Sequence, residues 1–151
     1  MLPRKVLNRR YQVIYDNNIR IIDDYAHHPT EIKATLSAAS KVKHNKLRVV
    51  FQPHTYTRTK ALFEDFADSF DHVDSLIITD IYAAREKDVY GVSSYQLVNA
   101  IKAKYPDREV YYVQDFEDIV KYLSANAEKD DIVMTMGAGD VYKIGQMMLE
   151  A

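Results

Sequence analysis

The chain has no cysteine and no tryptophan, and it contains only four glycines and four prolines among 151 residues. Without cysteine it forms neither disulfides nor thiolate metal sites. The sequence also lacks a run of 18 apolar residues and a signal-peptide pattern at its start. We therefore expect a cytoplasmic protein that does not bind membranes.

Neither sign of charge is in large excess, because the chain has 20 lysines and arginines and 22 aspartates and glutamates. A basic excess is the usual footprint of non-specific nucleic-acid binding, so we expect no nucleic-acid partner. No Gly-x-x-x-x-Gly-Lys-[Ser/Thr] segment occurs, which excludes a phosphate-binding loop of that type from this chain. The length suits one well-buried core and is too short for two ordinary domains.

Short apolar runs alternate with segments of helical periodicity along most of the chain. Runs at 11–15 and 19–22 flank Asp-Asn-Asn, a sequence typical of a hairpin turn. The later strands are apolar on both faces and alternate with amphipathic helices, which predicts a sheet covered on both sides. The predicted fold is α/β: a three-layer α/β/α sandwich with a Rossmann-like, mostly parallel sheet and an antiparallel N-terminal hairpin at its edge. We expect residues 11–151 to form this domain and residues 1–10, which are basic and poorly patterned, to be a connector.

Polar clusters follow several of the predicted strands. In open parallel sheets, ligands bind beyond the carboxyl ends of the strands. We therefore expect these clusters to line one edge of the sheet. They are residues 23–28, 52–60, 80–86 and 137–140.

The densest polar segment, residues 23–31, holds carboxylates, a phenol and two imidazoles that are costly to desolvate for packing alone. Pro29 suits the first helical position, which places His28 at the helix cap and His27 just before it. This spacing gives the two imidazoles poor chelating geometry, so we predict no metal site. Substrate or nucleotide contact is the favoured interpretation, with metal binding and a structural cap network as alternatives.

The second cluster places His54, Arg58 and Lys60 among threonines at a predicted helix start, where backbone N–H groups favour anions. Arg58 can clamp a carboxylate bidentately. The alternative interpretation is a surface arginine beside threonine caps.

The last cluster, Gly137, Gly139 and Asp140, follows a buried strand and opens the final helix. Its glycines would let backbone amides approach a ligand, as in a phosphate-binding or closure loop. A plain tight turn explains the same residues equally well, because a short Gly-x-Gly is not a dinucleotide fingerprint.

Taken together, these segments resemble the C-terminal domain of the Mur ligases, and most closely the branch of the family that joins L-alanine to UDP-N-acetylmuramate. The resemblance covers nearly the whole chain, in family order, which makes it more specific than any single motif. The matching segments are residues 8–11, 23–31, 51–60, 80–86, 91–94 and 136–140.

This resemblance implies an ADP-forming ligase of three domains that acts in peptidoglycan precursor synthesis. An N-terminal domain would hold the UDP-sugar, a central domain the ATP phosphates and Mg²⁺, and the present domain the incoming amino acid. ATP would convert the muramoyl carboxylate to an acyl phosphate, which the amine of L-alanine attacks. The implied partners are L-alanine, ATP, UDP-N-acetylmuramate and the two other domains. The present domain alone would bind no cofactor, supply no catalytic residue and be inactive.

The family's functional residues carry over to particular positions of this chain. Those implied to surround L-alanine are Tyr25, His27 and Arg58, with Arg58 on the carboxylate. Asp24 matches an aspartate that contacts the ATP ribose, and Arg85 lies in a loop that helps to select the amino acid. Many relatives carry arginine where this chain has Thr55, so a two-arginine clamp is not expected.

Three other functions are alternatives. A murein peptide ligase, which attaches a recycled tripeptide, shares the segment at 23–29, but its counterpart of 53–60 looks different. A stand-alone small-molecule-binding module could use the same fold. A hydrolase with His27 or His54 as its base is disfavoured, because the sequence has neither a Gly-x-Ser-x-Gly elbow nor a cysteine nucleophile.

Overall fold

A computed structural model describes residues 10–151. The predicted connector, residues 1–10, therefore lies outside the described residues except for Arg10. Within the described range the strands are β1 (Gln12–Asn17), β2 (Ile19–Asp24), β3 (Leu47–Phe51), β4 (Ser75–Ile78), β5 (Glu109–Tyr112) and β6 (Ile132–Met136). The helices are α1 (Pro29–Ser40), α2 (Tyr56–Ala61), α3 (Phe63–Ala67), α4 (Ser94–Lys104), α5 (Phe116–Asn126) and α6 (Lys143–Glu150).

The strands form one sheet in the order β1-β2-β6-β3-β4-β5. All neighbours pair in parallel except β1 and β2, which form an antiparallel hairpin at the edge. The hairpin turns at Asn18, whose φ of 63° is a conformation that asparagine tolerates better than most residues. The predicted mostly parallel sheet with an antiparallel N-terminal edge is confirmed.

Two apolar clusters cover the two faces of the sheet. Ile32 of α1 and Leu97 of α4 pack in the larger cluster. Leu123 of α5 and Ile144 of α6 pack in the other cluster, on the opposite face. Every residue of the central strands β3 and β6 is buried, as expected for strands covered on both sides. The predicted three-layer sandwich is therefore confirmed.

Strand β2 is longer than its apolar run, because it continues through Asp23 and Asp24. Both side chains are 3% exposed. The Asp23 carboxylate accepts a hydrogen bond from the Thr135 hydroxyl at 2.8 Å, so burial leaves it satisfied. Sequence patterning put these residues just after the strand, since apolar periodicity does not reveal polar groups whose partners lie elsewhere in the chain.

Within residues 10–151, none of the helices has the length and apolar character needed to cross a membrane.

Candidate functional site

The polar clusters meet at the carboxyl edge of the sheet, as the sequence predicts. A row of aromatic rings crosses this edge from the β2 loop to the β4 loop. His27 lies edge-on to Tyr25 at 5.2 Å and to His54 at 5.9 Å between ring centroids. His54 in turn stacks on Tyr82, with centroids 5.4 Å apart and planes 13° apart. We call Tyr25, His27, His54 and Tyr82 the ring row.

The start of α1 fixes the position of His27. His28 is the N-cap, and its Nδ1 accepts from the backbone N–H of Thr30, which confirms the predicted cap. The Glu31 carboxylate accepts from the backbone N–H groups of His27 and His28 at 3.3 and 3.2 Å, completing a capping box. Burial opposes the charge of Glu31, but these bonds prevail and lower its pKa. A charged Glu31 therefore organises the turn that carries His27.

The tautomer of His27 follows from its hydrogen bond. Its Nδ1 lies 3.0 Å from the backbone oxygen of Tyr25. Because a carbonyl oxygen only accepts, Nδ1 carries the proton in this contact and Nε2 is the nitrogen able to accept from a ligand.

The start of α2 is held in a strained conformation beside His54. Thr55, its N-cap, has φ 66° and ψ 146°, a region that residues with a Cβ seldom occupy. Three bonds hold it there: its N–H donates to Tyr82 O at 2.8 Å, its Oγ1 accepts from Arg58 N, and its carbonyl accepts from the Thr59 hydroxyl at 2.7 Å. Such strain is concentrated at functional sites.

Two buried polar atoms in this region lack a hydrogen-bond partner among the described residues: Nδ1 of His54 and Nη1 of Arg58. A buried group without a partner costs free energy, so a ligand that supplies one binds favourably. Burial lowers the pKa of His54, and the positive charge of Arg58, joined by that of His27 whenever its ring is protonated, lowers it further against the opposing effect of Glu86. His54 is therefore neutral near pH 7, and Arg58 is the cation of this pair.

Asp24 is the buried last residue of β2 and bonds to its own chain. Its Oδ2 accepts from the Tyr11 N–H at 2.8 Å and from the Thr35 hydroxyl at 3.5 Å, and its Oδ1 accepts from the Ala26 N–H at 2.7 Å. Only 3% of this residue is exposed, so it offers little surface to a ribose in this structure. The predicted contact with ATP stays a prediction, and the observed role of Asp24 is to connect the beginning of β1 to the β2 loop.

The glycines of the last cluster allow close packing within the chain. A Cβ on Gly137, which has φ 152°, would lie 2.9 Å from Gln52 O. A Cβ on Gly139 would lie 2.6 Å from both the Gln52 side chain and the Tyr82 ring. Asp140 accepts from Gln52 Nε2 at 2.8 Å, which ties the β6 loop to the β3 loop. A tight turn packed closely against Gln52 and Tyr82 therefore accounts for both glycines. The phosphate-binding or closure role stays a prediction.

The structure thus brings three of the four predicted amino-acid-binding residues to one edge, while Arg85 stays exposed on the loop that follows β4. Sequence reasoning placed Tyr82 only in the loop at 80–86, and it named His54 only as a cluster member and as the base of the disfavoured hydrolase. Their position just after β3 and β4 was the available indication. Within residues 10–151, no group of three or more histidines and carboxylates is arranged to hold a metal ion.

Comparison with known proteins gives a consistent result. The family profile described as "Mur ligase, glutamate ligase domain" matches residues 9–139. The UDP-N-acetylmuramate--L-alanine ligase of Caldanaerobacter subterraneus is 51% identical over 147 residues, covering 97% of this chain and 32% of the relative. The chain thus spans about a third of the length of the curated relatives it matches.

Two solved structures share the fold. The UDP-N-acetylmuramate-alanine ligase of Thermotoga maritima is 26% identical with a TM-score of 0.73, covering 94% of this chain and 29% of that one. A murein peptide ligase from Psychrobacter arcticus is 25% identical with a TM-score of 0.76, over the same shares of the two chains. Backbone similarity therefore does not separate the two activities.

Proposed function

Because this chain belongs to the Mur ligase family, as its glutamate ligase domain, we propose that it is the amino-acid-binding domain of an ADP-forming ligase that joins L-alanine to UDP-N-acetylmuramate. The proposal rests on two buried polar atoms without a hydrogen-bond partner within residues 10–151: Nδ1 of His54, in the ring row, and Nη1 of the nearby Arg58. An amino acid supplies what this pair lacks, since its carboxylate accepts from a guanidinium. The reaction would take place in the cytoplasm, as a step of peptidoglycan precursor synthesis.

The binding role divides among the residues by their chemistry. Arg58 would hold the carboxylate of L-alanine bidentately, a geometry that lysine does not reproduce. Tyr25, His27 and His54 would line the space for the small side chain. His27 Nε2, which can accept, would face the substrate, while Nδ1 stays on Tyr25 O. Arg85 would influence the choice of amino acid from the adjacent loop.

The chemistry requires partners beyond this chain. The muramoyl carboxylate takes the γ-phosphoryl group of ATP, and ADP leaves. The L-alanine amine then attacks the acyl carbon, phosphate leaves, and the amine gives up a proton as the amide forms. The sequence carries no Gly-x-x-x-x-Gly-Lys-[Ser/Thr] loop for the ATP phosphates. The residues described here do not fit a Mg²⁺ site either. We therefore place both functions, and the UDP-sugar site, in other domains, and we expect the isolated chain to be inactive.

The murein peptide ligase activity is the less favoured alternative. The curated L-alanine ligases are 50 to 54% identical to this chain over most of its length, whereas the solved murein peptide ligase is 25% identical. A binding module that acts alone is tested directly by the experiment below.

To test the proposal, residues 10–151 replace the corresponding segment of the Caldanaerobacter ligase, and ADP release is measured with UDP-N-acetylmuramate and L-alanine. We expect turnover that depends on L-alanine. In the same chimera, Arg58→Ala should raise the KM for L-alanine by about tenfold or more while the KM for ATP stays unchanged. Lys60→Ala, which removes an exposed cation from the same helix, should change neither KM. A folded chimera without turnover would favour the stand-alone module, and an unchanged KM for L-alanine in Arg58→Ala would contradict the role of Arg58.

A further inference from the structure

The loop between β4 and α4, residues 79–93, is attached to the β3 loop at the ring row. Tyr82 N–H donates to Pro53 O and Tyr82 O accepts from Thr55 N–H, both at 2.8 Å. The Tyr82 ring stacks on His54. These contacts fix the first part of the loop, up to Tyr82.

A second attachment occurs four residues later. The Glu86 carboxylate accepts from the Thr57 backbone N–H at 3.0 Å and from the Thr57 hydroxyl. Between the two attachments the loop reverses at Ala84, with φ 56°, and Glu86 N–H donates to Ala83 O at 3.0 Å. The hydrogen bond from the Thr57 side chain lowers the pKa of Glu86, so the carboxylate is charged at neutral pH. Beyond Glu86 the loop extends into solvent, and Val89 is 71% exposed.

The contact between Glu86 and Thr57 lies next to two arginines of the proposed site. Thr57 directly precedes Arg58, and Arg85 directly precedes Glu86. The contact therefore joins two chain segments that are 29 residues apart in sequence, each at the residue next to an arginine. The Tyr82 contacts, by comparison, reach Pro53, His54 and Thr55, which precede α2.

We propose that Glu86 is a positioning residue of the amino-acid site: by binding Thr57, it holds residues 83–90 against α2 and sets the spacing between Arg58 and Arg85. The identification of the ligand as an amino acid rests on the proposed function above, whereas the attachment of Glu86 to Thr57 does not. Glu86 acts here through Thr57 and touches neither the substrate nor the reacting atoms.

Four variants of this protein test the inference. Glu86→Ala removes the carboxylate that accepts from Thr57. Glu86→Gln keeps a carbonyl oxygen for the Thr57 N–H and can also bond its hydroxyl. Thr57→Val removes only the hydroxyl donor. Asp88→Ala is the control, because it removes the same charge from the same loop without touching Thr57.

The first measurement uses no ligand. Amide hydrogen exchange and ¹⁵N NMR report on the attachment, since local opening speeds the exchange of the amide it exposes. Glu86→Ala should speed exchange at Thr57 by about tenfold and shift the Arg58 side-chain signal, while Glu86→Gln and Asp88→Ala stay close to the wild type. Thr57→Val should lie between the wild type and Glu86→Ala. Unchanged exchange at Thr57 and an unchanged Arg58 signal in Glu86→Ala would overturn the attachment.

The second measurement is the affinity of the same proteins for L-alanine, followed by NMR titration. Glu86→Ala should weaken binding by about tenfold and Glu86→Gln by less than about threefold. If Glu86→Ala releases the loop but binds L-alanine as the wild type does, the positioning role is overturned. If the wild type itself binds no L-alanine, the proposed ligand is wrong, and the exchange measurement alone decides whether Glu86 holds the loop.

Discussion

Replacing Asp24 by asparagine should destabilise the fold, because both oxygens of this buried carboxylate accept backbone N–H groups. Oδ1 accepts from Ala26 at 2.7 Å and Oδ2 accepts from Tyr11 at 2.8 Å. Asparagine has nearly the same shape but only one carbonyl oxygen. Its amide group would face one of the two N–H groups, so that donor would confront donor and a hydrogen bond would be lost.

The expected loss of stability follows from the loss of this one hydrogen bond. Leaving one buried donor unsatisfied costs about 1–3 kcal/mol, and hydrogen bonds to a charged group are stronger than those to a neutral one. We expect Asp24→Asn to lower the free energy of unfolding by about 2 kcal/mol. In a domain of this size that corresponds to a fall in Tm of about 4–8 °C. Urea unfolding followed by circular dichroism gives the free energy, and calorimetry gives the Tm.

A matched control separates this effect from the chemical change itself. Asp16→Asn makes the same substitution at an exposed carboxylate of the hairpin, whose contact with Arg20 is a surface ion pair. Its effect should stay below about 0.5 kcal/mol. If Asp24→Asn also stays within about 0.5 kcal/mol of the wild type, the structural role given to Asp24 is refuted.

Four further predictions concern packing and charge. Gly139→Ala places a Cβ 2.6 Å from the Tyr82 ring, so it should lower the free energy of unfolding by about 1–3 kcal/mol in urea titrations, and a wild-type midpoint would contradict the packing. Arg48→Met leaves the fully buried Asp131 carboxylate, now bonded to Arg48 Nε at 2.8 Å, without its cation, and should cost about 3–5 kcal/mol; an equally stable variant would show that the pair is dispensable. Burial would raise the pKa of Asp131, but Arg48 and two backbone N–H groups lower it, so the stability it contributes is complete above about pH 4 and is lost as pH falls through the folded-state pKa. Urea midpoints between about pH 6 and 3 should show this loss, and Asp131→Asn should remove it. Burial lowers the pKa of His54, so its NMR titration should fall below the usual value of about 6.5, and a midpoint at or above that value would refute the burial of this ring.

Much of the fold could be predicted because it depends on local patterns. The turn at Asn18, the cap at His28 followed by Pro29, and the buried strands β3 and β6 are each encoded by neighbouring residues. The meeting of the polar clusters followed from topology, since parallel strands bring their carboxyl ends to one edge.

The remaining features depend on contacts between distant residues. Asp24 bonds to Tyr11, 13 residues away, and Glu86 bonds to Thr57, 29 residues away. The positive φ of Thr55 is maintained partly by Tyr82 O, on another loop. No periodicity or spacing encodes such contacts, so the sequence identified the polar residues without showing which would bond to their own chain and which would lack a partner.

The most direct test of the proposed site is a titration of the isotopically labelled chain with L-alanine, with D-alanine as the matched control. We expect saturable chemical-shift changes confined to Tyr25, His27, His54 and Arg58, stronger for L-alanine than for D-alanine. Because this chain spans about a third of the length of its curated relatives, we expect it to bind only near the millimolar range, about 4 kcal/mol. Absence of localised shifts at about 50 mM L-alanine, or equal shifts with both enantiomers, would contradict an amino-acid site at this edge of the sheet.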